Sequence, residues 1–265
     1  MKIVETDYLL RYKTYFESWL NKPIDSIIQS NGVNIFPSEQ RKLKPDGWIL
    51  YMPVCAFEFE KSVIISCIPE WENDIKNLLA GVSISEAISR MRVFSEEKEI
   101  VTDAHYRFYG IGTPTEQQHS ADVFLLDNNN YEQYLGFFRS MFPSQSDLID
   151  PDEWLSQGFA QSVENKTHFC IAADNDIVCA TDSESIPNEP DGIINLGVNT
   201  LKEYRGKGYA SAVCTAFIKY HMQLGKIPIW QCEFGNIASQ ELARKLGFQL
   251  IGNVYYIASL LLLDS

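Results

Sequence analysis

The densest chemistry in the chain lies between Ile193 and Phe248. Ile194, Leu196, Val198 and Thr200 alternate along one stretch, the pattern of a half-buried strand. After Leu201-Lys202-Glu203-Tyr204 comes Arg205-Gly206-Lys207-Gly208-Tyr209-Ala210. A helix is expected directly behind it, with Tyr209, Val213, Ala216, Phe217, Tyr220 and Leu224 on one stripe and Gly225 at its end. Strand, glycine turn and helix in that order can bind a phosphate group. The first amides of a helix have no intrahelical partner, and the helix dipole adds positive potential there. Gly206 and Gly208 clear side chains from that end, so that oxyanions reach the amides. Lys202, Arg205 and Lys207 add positive charge inside a chain of net charge −13. The plainer reading of the same residues is a tight strand-to-helix turn. The spacing excludes a P-loop and a dinucleotide fingerprint, which need Gly-x-x-x-x-Gly-Lys-Ser/Thr and a third small residue, respectively.

A second segment runs from Asn236 to Phe248, Asn-Ile-Ala-Ser-Gln-Glu-Leu-Ala-Arg-Lys-Leu-Gly-Phe. Asn236 is a good N-cap. Ala238, Leu242 and Leu246 form an apolar edge, Gly247 suits a left-handed C-cap, and Phe248 supplies its hydrophobic contact. A well-capped structural helix accounts for most of these residues without any ligand.

Together the two segments resemble the signatures of the GNAT superfamily of N-acetyltransferases. Arg205 to Ala210 matches its Arg/Gln-x-x-Gly-x-Gly/Ala diphosphate loop, and Asn236 to Phe248 resembles its second signature. The resemblance implies an α/β fold, a mixed central sheet flanked by helices, over residues 121–265. It implies acetyl-CoA as co-substrate, no metal, and transfer of the acetyl group to an amine by direct attack. Main-chain amides of Val198, Asn199 and Thr200 would pair with the pantetheine arm and polarise the thioester. Arg205, Gly206, Lys207, Gly208, Tyr209 and Ala210 would hold the diphosphate, with Asn236 and Ser239 also touching the coenzyme. The gap between the strands ending near Thr200 and starting near Ile229 would admit the acyl arm. The acceptor would be a small-molecule or protein amine. An alkyl ammonium must first lose a proton, which costs roughly 4–5 kcal/mol at neutral pH. Glu233, at the end of its strand, is the first candidate base and Glu184 the second. The family often places a Tyr in the second signature to protonate the thiolate, and this chain has Ala243 there. Tyr255, or Tyr256, is the substitute considered, against a sheet-packing role for either. A thiol of pKa near 8.5 leaves tolerably without an acid. Ala243 also keeps open a second function, a catalytically silent acyl-CoA-binding module.

These residues need elements to position them. In the second half, strands are expected at 123–126, 169–173, 177–180, 193–200, 229–233 and 249–262, and helices at 131–141, 152–160, 208–224 and 237–246. In the first half, a helix at 8–20 precedes strands at 48–54 and 63–68. Two helices follow, one through Trp71, Ile75, Leu78 and Leu79 and one opened by a Ser83/Glu86 capping box. A strand at 105–110 closes the half. The polar, aperiodic stretch 112–120 reads as a linker. It divides an additional N-terminal α/β region, 1–112, whose role the sequence does not show, from the second half.

The 265 residues, 45% hydrophobic and 22% charged, describe an ordinary globular chain. The negative charge argues against nucleic-acid binding. No apolar run approaches a membrane span and the first residues carry charge, so a cytoplasmic protein is expected. The six cysteines form no Cys-x-x-Cys pair and read as buried thiols. Nothing in the sequence sets the oligomeric state.

Overall fold

The computed structural model describes residues 10–45, 50–59, 61–97, 102–115, 121–143, 150–183, 186 and 190–259. The chain opens with two helices, α1 (Lys13–Leu20) and α2 (Ile24–Ile28). Tyr15, Phe16, Trp19 and Leu20 recur on one face of α1 and are buried, and Asn21 ends it in a left-handed conformation. Strands β1 (Gly32–Pro37), β2 (Tyr51–Phe59) and β3 (Ser62–Cys67) follow, then α3 (Glu72–Leu78), α4 (Ile84–Glu97) and β4 (Thr102–Ile111). The second half contributes β5 (Phe124–Leu125), α5 (Tyr131–Met141), α6 (Pro151–Glu164), β6 (Phe169–Ala173), β7 (Asp176–Asp182), β8 (Ile193–Asn195), β9 (Gly197–Thr200), α7 (Tyr209–Gln223), β10 (Ile227–Glu233), α8 (Ile237–Lys245) and β11 (Phe248–Ser259).

Among the described residues these strands build two sheets. One runs β1-β3-β2-β11-β4-β10-β8 and the other β5-β6-β7-β9. The pairs β1/β3 and β10/β8 are parallel, and the others are antiparallel. The larger sheet crosses the expected division of the chain. β4, from the first half, lies between β10 and β11 of the second, with Tyr109 opposite Trp230 on one side and Leu250 on the other. Residues 1–112 are therefore not a separately hydrogen-bonded unit. Few contacts cross a domain boundary, whereas here the ladders on both sides of β4 cross it. Past β4 the Gly112 N–H donates to the Gly247 carbonyl at 3.0 Å and the Thr115 N–H to the Leu246 carbonyl at 3.3 Å, and residues 116–120 lie outside the described set.

Three apolar cores flank the large sheet. On one face α7 and α8 cover Tyr109, Trp230, Cys232 and Phe248. Beside them α3 and α4 cover Val54, Ile65, Tyr255 and Ile257. On the opposite face α1 and α2 cover Phe57, Phe108 and Val254. Helices α5 and α6 cover the small sheet over Cys170, Ile177 and Ala180.

Most expected elements form, with instructive differences. The expected strand 193–200 is two strands in two sheets. The expected strand 48–54 is the longer β2; its positions 48 and 49 lie outside the described residues, as do 8 and 9 of the first expected helix and 260–262 of the last strand. No helix among the described residues is long and apolar enough to cross a membrane. No group of three or more His, Cys, Asp or Glu among them is arranged to hold a metal ion.

Candidate active site

The site begins where one extended run of chain changes sheets. Ile193, Ile194 and Asn195 pair with Ile227, Pro228 and Ile229 of β10. The Leu196 N–H still donates to the Ile229 carbonyl at 3.0 Å. From Gly197 onward the chain pairs with β7 instead, while Ile229–Glu233 pairs with β4. A wedge therefore opens between β9 and the end of β10. Gly197 sits at the branch, and a β-carbon there would collide with the Asp182 carboxylate. Any larger residue there would have to push that carboxylate aside, away from its bond with Asn199.

The wedge has a polar wall. The Leu201 N–H donates to the Val178 carbonyl of β7 at 2.9 Å. Main-chain groups alternate along an antiparallel strand, so those of Asn199 also face β7 and those of Val198 and Thr200 face the wedge. The Asn199 side chain turns to Asp182, donating to Oδ2 at 2.9 Å. Of the three expected amide donors, the structure thus aims two at the wedge and one into the sheet.

The loop Arg205–Ala210 joins the same edge. Arg205 Nε donates to the Thr200 carbonyl at 3.1 Å. Gly206 and Gly208 adopt φ of 77° and 82°, left-handed values that carry the chain into α7. Gly208 is the N-cap of α7 and accepts the Ala212 N–H at 3.1 Å. The amides of Tyr209, Ala210 and Ser211 precede the first intrahelical donor and point out of the helix end. Arg205, Gly206, Lys207 and Gly208 are exposed, and Lys207 Nζ lies 4.5 Å from the Tyr204 ring centroid.

The second segment approaches the wedge from β10. The Ser239 N–H donates to Asn236 Oδ1 at 3.1 Å, which confirms the N-cap of α8. Trp230 Nε1 donates to Ser239 Oγ at 3.0 Å, and this bond fastens α8 to the wedge strand. The Ser239 hydroxyl accepts here and keeps its own proton to donate. Trp230 joins two elements that the sequence treats separately. Its only advance sign was a large polar-tipped ring next to the expected cleft.

The catalytic candidates fare differently. Glu233 ends β10 and is exposed. Trp230 and Cys232 lie in the core beneath α7 and α8, so Glu233 projects to the opposite face, the side of Gln231. That face is bordered by α1: Gln231 Nε2 donates to Tyr15 Oη at 2.9 Å, and Thr14 Oγ1 to the Asp191 carbonyl at 3.0 Å. Tyr255 is a correction. It lies fully buried under α3 and α4, among Val54, Trp71 and Phe94, and away from the wedge. Burial raises its phenol above the ordinary range. Alternation along β11 shows that one face is buried but not which of two adjacent cores receives it. Tyr256 stacks with Tyr106 on the far face. Ala243 is fully buried in the core with Trp230. Glu184 lies outside the described residues.

A protein-family model described as GNAT acetyltransferase matches residues 58–256. The chain belongs to this family, and the matched segment runs across the division expected at 112–120. YdfB of Bacillus subtilis (strain 168), named an uncharacterized N-acetyltransferase, is 41% identical over 63 residues, 23% of this chain and 24% of that relative's length. Among solved structures, an acetyltransferase from the GNAT family of Colwellia psychrerythraea has a TM-score of 0.52 at 16% identity, over 74% of this chain and 76% of its own. A GCN5-related N-acetyltransferase-like protein from Streptococcus suis 89/1591 aligns over 97% and 100% of the two chains, with TM-score 0.49 and 16% identity. At 16% identity the Colwellia likeness shows the fold alone.

Proposed function

We propose that this protein transfers an acetyl group from acetyl-CoA to a primary amine, in the cytoplasm. The observation that carries the reading is the wedge: unopposed edge amides of Val198 and Thr200 beside a left-handed glycine loop at the start of α7. Acetyl-CoA supplies the activated thioester. The amides of residues 208–211, with Arg205 and Lys207, hold its diphosphate. Asn236 and Ser239 border the same slot from α8. The amides of Val198 and Thr200 stabilise negative charge on the thioester oxygen.

The coenzyme occupies the α7/α8 face, so the amine reaches the wedge from the other face. Glu233 stands there and takes the proton that an alkyl ammonium must lose, a cost of roughly 4–5 kcal/mol at neutral pH. On this reading the N-terminal region has a defined part. It supplies β4 as the partner of β10 and sets α1 beside the acceptor entrance. Thiol release from acetyl-CoA with a panel of primary amines tests the assignment. Turnover with any of them supports it. Ala243 favours a second reading, coenzyme binding without catalysis, and tight CoA binding with no turnover on any amine would establish that reading instead.

A further inference from the structure

A second polar feature lies on the sheet face between α8 and α4. His105, Arg107 and Tyr109 alternate along β4 and share one face. Asn253 of β11 is paired directly with Arg107. In each of these four side chains one buried polar atom has no hydrogen-bond partner: His105 Nε2, Arg107 Nε, Tyr109 Oη and Asn253 Oδ1. Buried polar groups are normally satisfied by protein, water or a bound group, so four clustered on one face form a polar lining that a ligand can complete. Tyr109 is 0% exposed. Phe234, 41% exposed, roofs the row, with its ring centroid 3.9 Å from Arg107 Cζ and 4.6 Å from the His105 ring.

The charge around this groove is the reverse of the chain's. Arg244 of α8 stands 6.0 Å from the Tyr109 ring, and Arg92 of α4 borders the other end. Arg92 is paired with Asp103 at 3.2 Å. Glu58 accepts from Asn253 Nδ2 at 3.0 Å. Among the described residues no carboxylate forms an ion pair with Arg107 or Arg244. Burial, followed by Arg92 and Arg107, holds His105 below its ordinary pKa, so it is neutral near pH 7.

We propose that this groove is an anion-binding site, separate from the coenzyme slot, for a small hydroxy- or amino-carboxylate. Arg107 Nε only donates, and a charge-assisted bond to an oxyanion is the strongest it can make. Asn253 Oδ1 only accepts and requires a hydroxyl or ammonium on the same ligand. The two β-carbons stand about 5 Å apart, the spacing of directly opposed residues. A carboxylate with a neighbouring donor spans that distance. Neutral His105 and Tyr109 can each give or take a further hydrogen bond.

Calorimetric titration of the full chain with L-malate, succinate and inorganic phosphate tests this. L-malate should bind, and succinate, which lacks the hydroxyl, should bind about tenfold more weakly. Arg107→Gln should weaken malate by about 10- to 100-fold, the range for a hydrogen bond to a charged group, and leave CoA affinity unchanged. Asn253→Leu should reduce malate to the level of succinate. Should Arg107→Gln fail to fold, Arg244→Gln at its exposed position should weaken malate in the same direction. No malate binding at millimolar concentration, equal binding by the variants, or displacement of malate by CoA would each overturn the proposal. Phosphate binding that exceeds malate and ignores Asn253 would overturn the carboxylate assignment.

Discussion

Replacing Gly208 separates the electrostatics of the loop proposed to hold the diphosphate from its geometry. Gly208 has φ 82° and ψ 0° at the N-cap of α7. A side chain there costs about 1–2 kcal/mol of backbone strain. That strain is present with and without coenzyme, so Gly208→Ala should lower stability more than affinity. Gly208→Asp adds the same strain and a carboxylate facing the diphosphate. One pair of like charges about 6 Å apart at an effective dielectric near 20 repels by about 3 kcal/mol. That is about 100-fold in Kd. Calorimetric titration of both variants with CoA should give Kd values at least that far apart. The gap should narrow as salt rises, because the loop is exposed and screened. Equal affinities for the two variants, at low salt and with both folded, would remove the diphosphate from the loop and with it the placement of acetyl-CoA.

Glu233→Gln should lower kcat/KM by roughly 100-fold at neutral pH while CoA affinity holds, and the pH–rate profile should converge with wild type as the amine becomes free base. Tyr255→Phe should leave turnover within about twofold, since the ring lies in the α3/α4 core, and a larger loss of kcat would restore it as an acid. Ala243→Tyr, which restores the family's phenol, should cost about 1–3 kcal/mol or more in urea unfolding, because Ala243 is fully buried. His168 is held down to about 4 by burial, with Nε2 2.7 Å from the Tyr134 hydroxyl. Above pH 6.5 both folded and unfolded forms are neutral. Below it only the unfolded chain takes up the proton, so stability should fall by about 3 kcal/mol between pH 6.5 and 4. Urea midpoints across that window should show the loss, and His168→Gln should flatten it.

The parts of the site built from neighbours in sequence were legible in advance. The glycine loop, the helix behind it and the Asn236 cap depend on residues within a few positions of one another, and each forms as read. The hairpin between β6 and β7 also follows its turn residues, Asp174 and Asn175, both left-handed. What was not legible depends on partners far along the chain. Alternation from Ile194 to Thr200 is uninterrupted, yet the run splits because β10 stays with β4 while β9 turns to β7. Gly197 was the one local sign of that split, an isolated glycine inside a strand pattern. Tyr255 and Glu233 show the same limit. Their periodicity places each on a face, but only the assembled sheet shows what lies opposite.

The location of β4 constrains how the molecule can be made. Until Ile227–Glu233 has been synthesised that strand has neither of its flanking neighbours, and until Phe248–Ser259 follows a growing chain carries an open edge of the kind that invites wrong pairing. Severing the polypeptide after Ile111 and expressing the pieces apart would leave both insoluble. Producing them together would let the severed strand dock into its slot and restore a working whole.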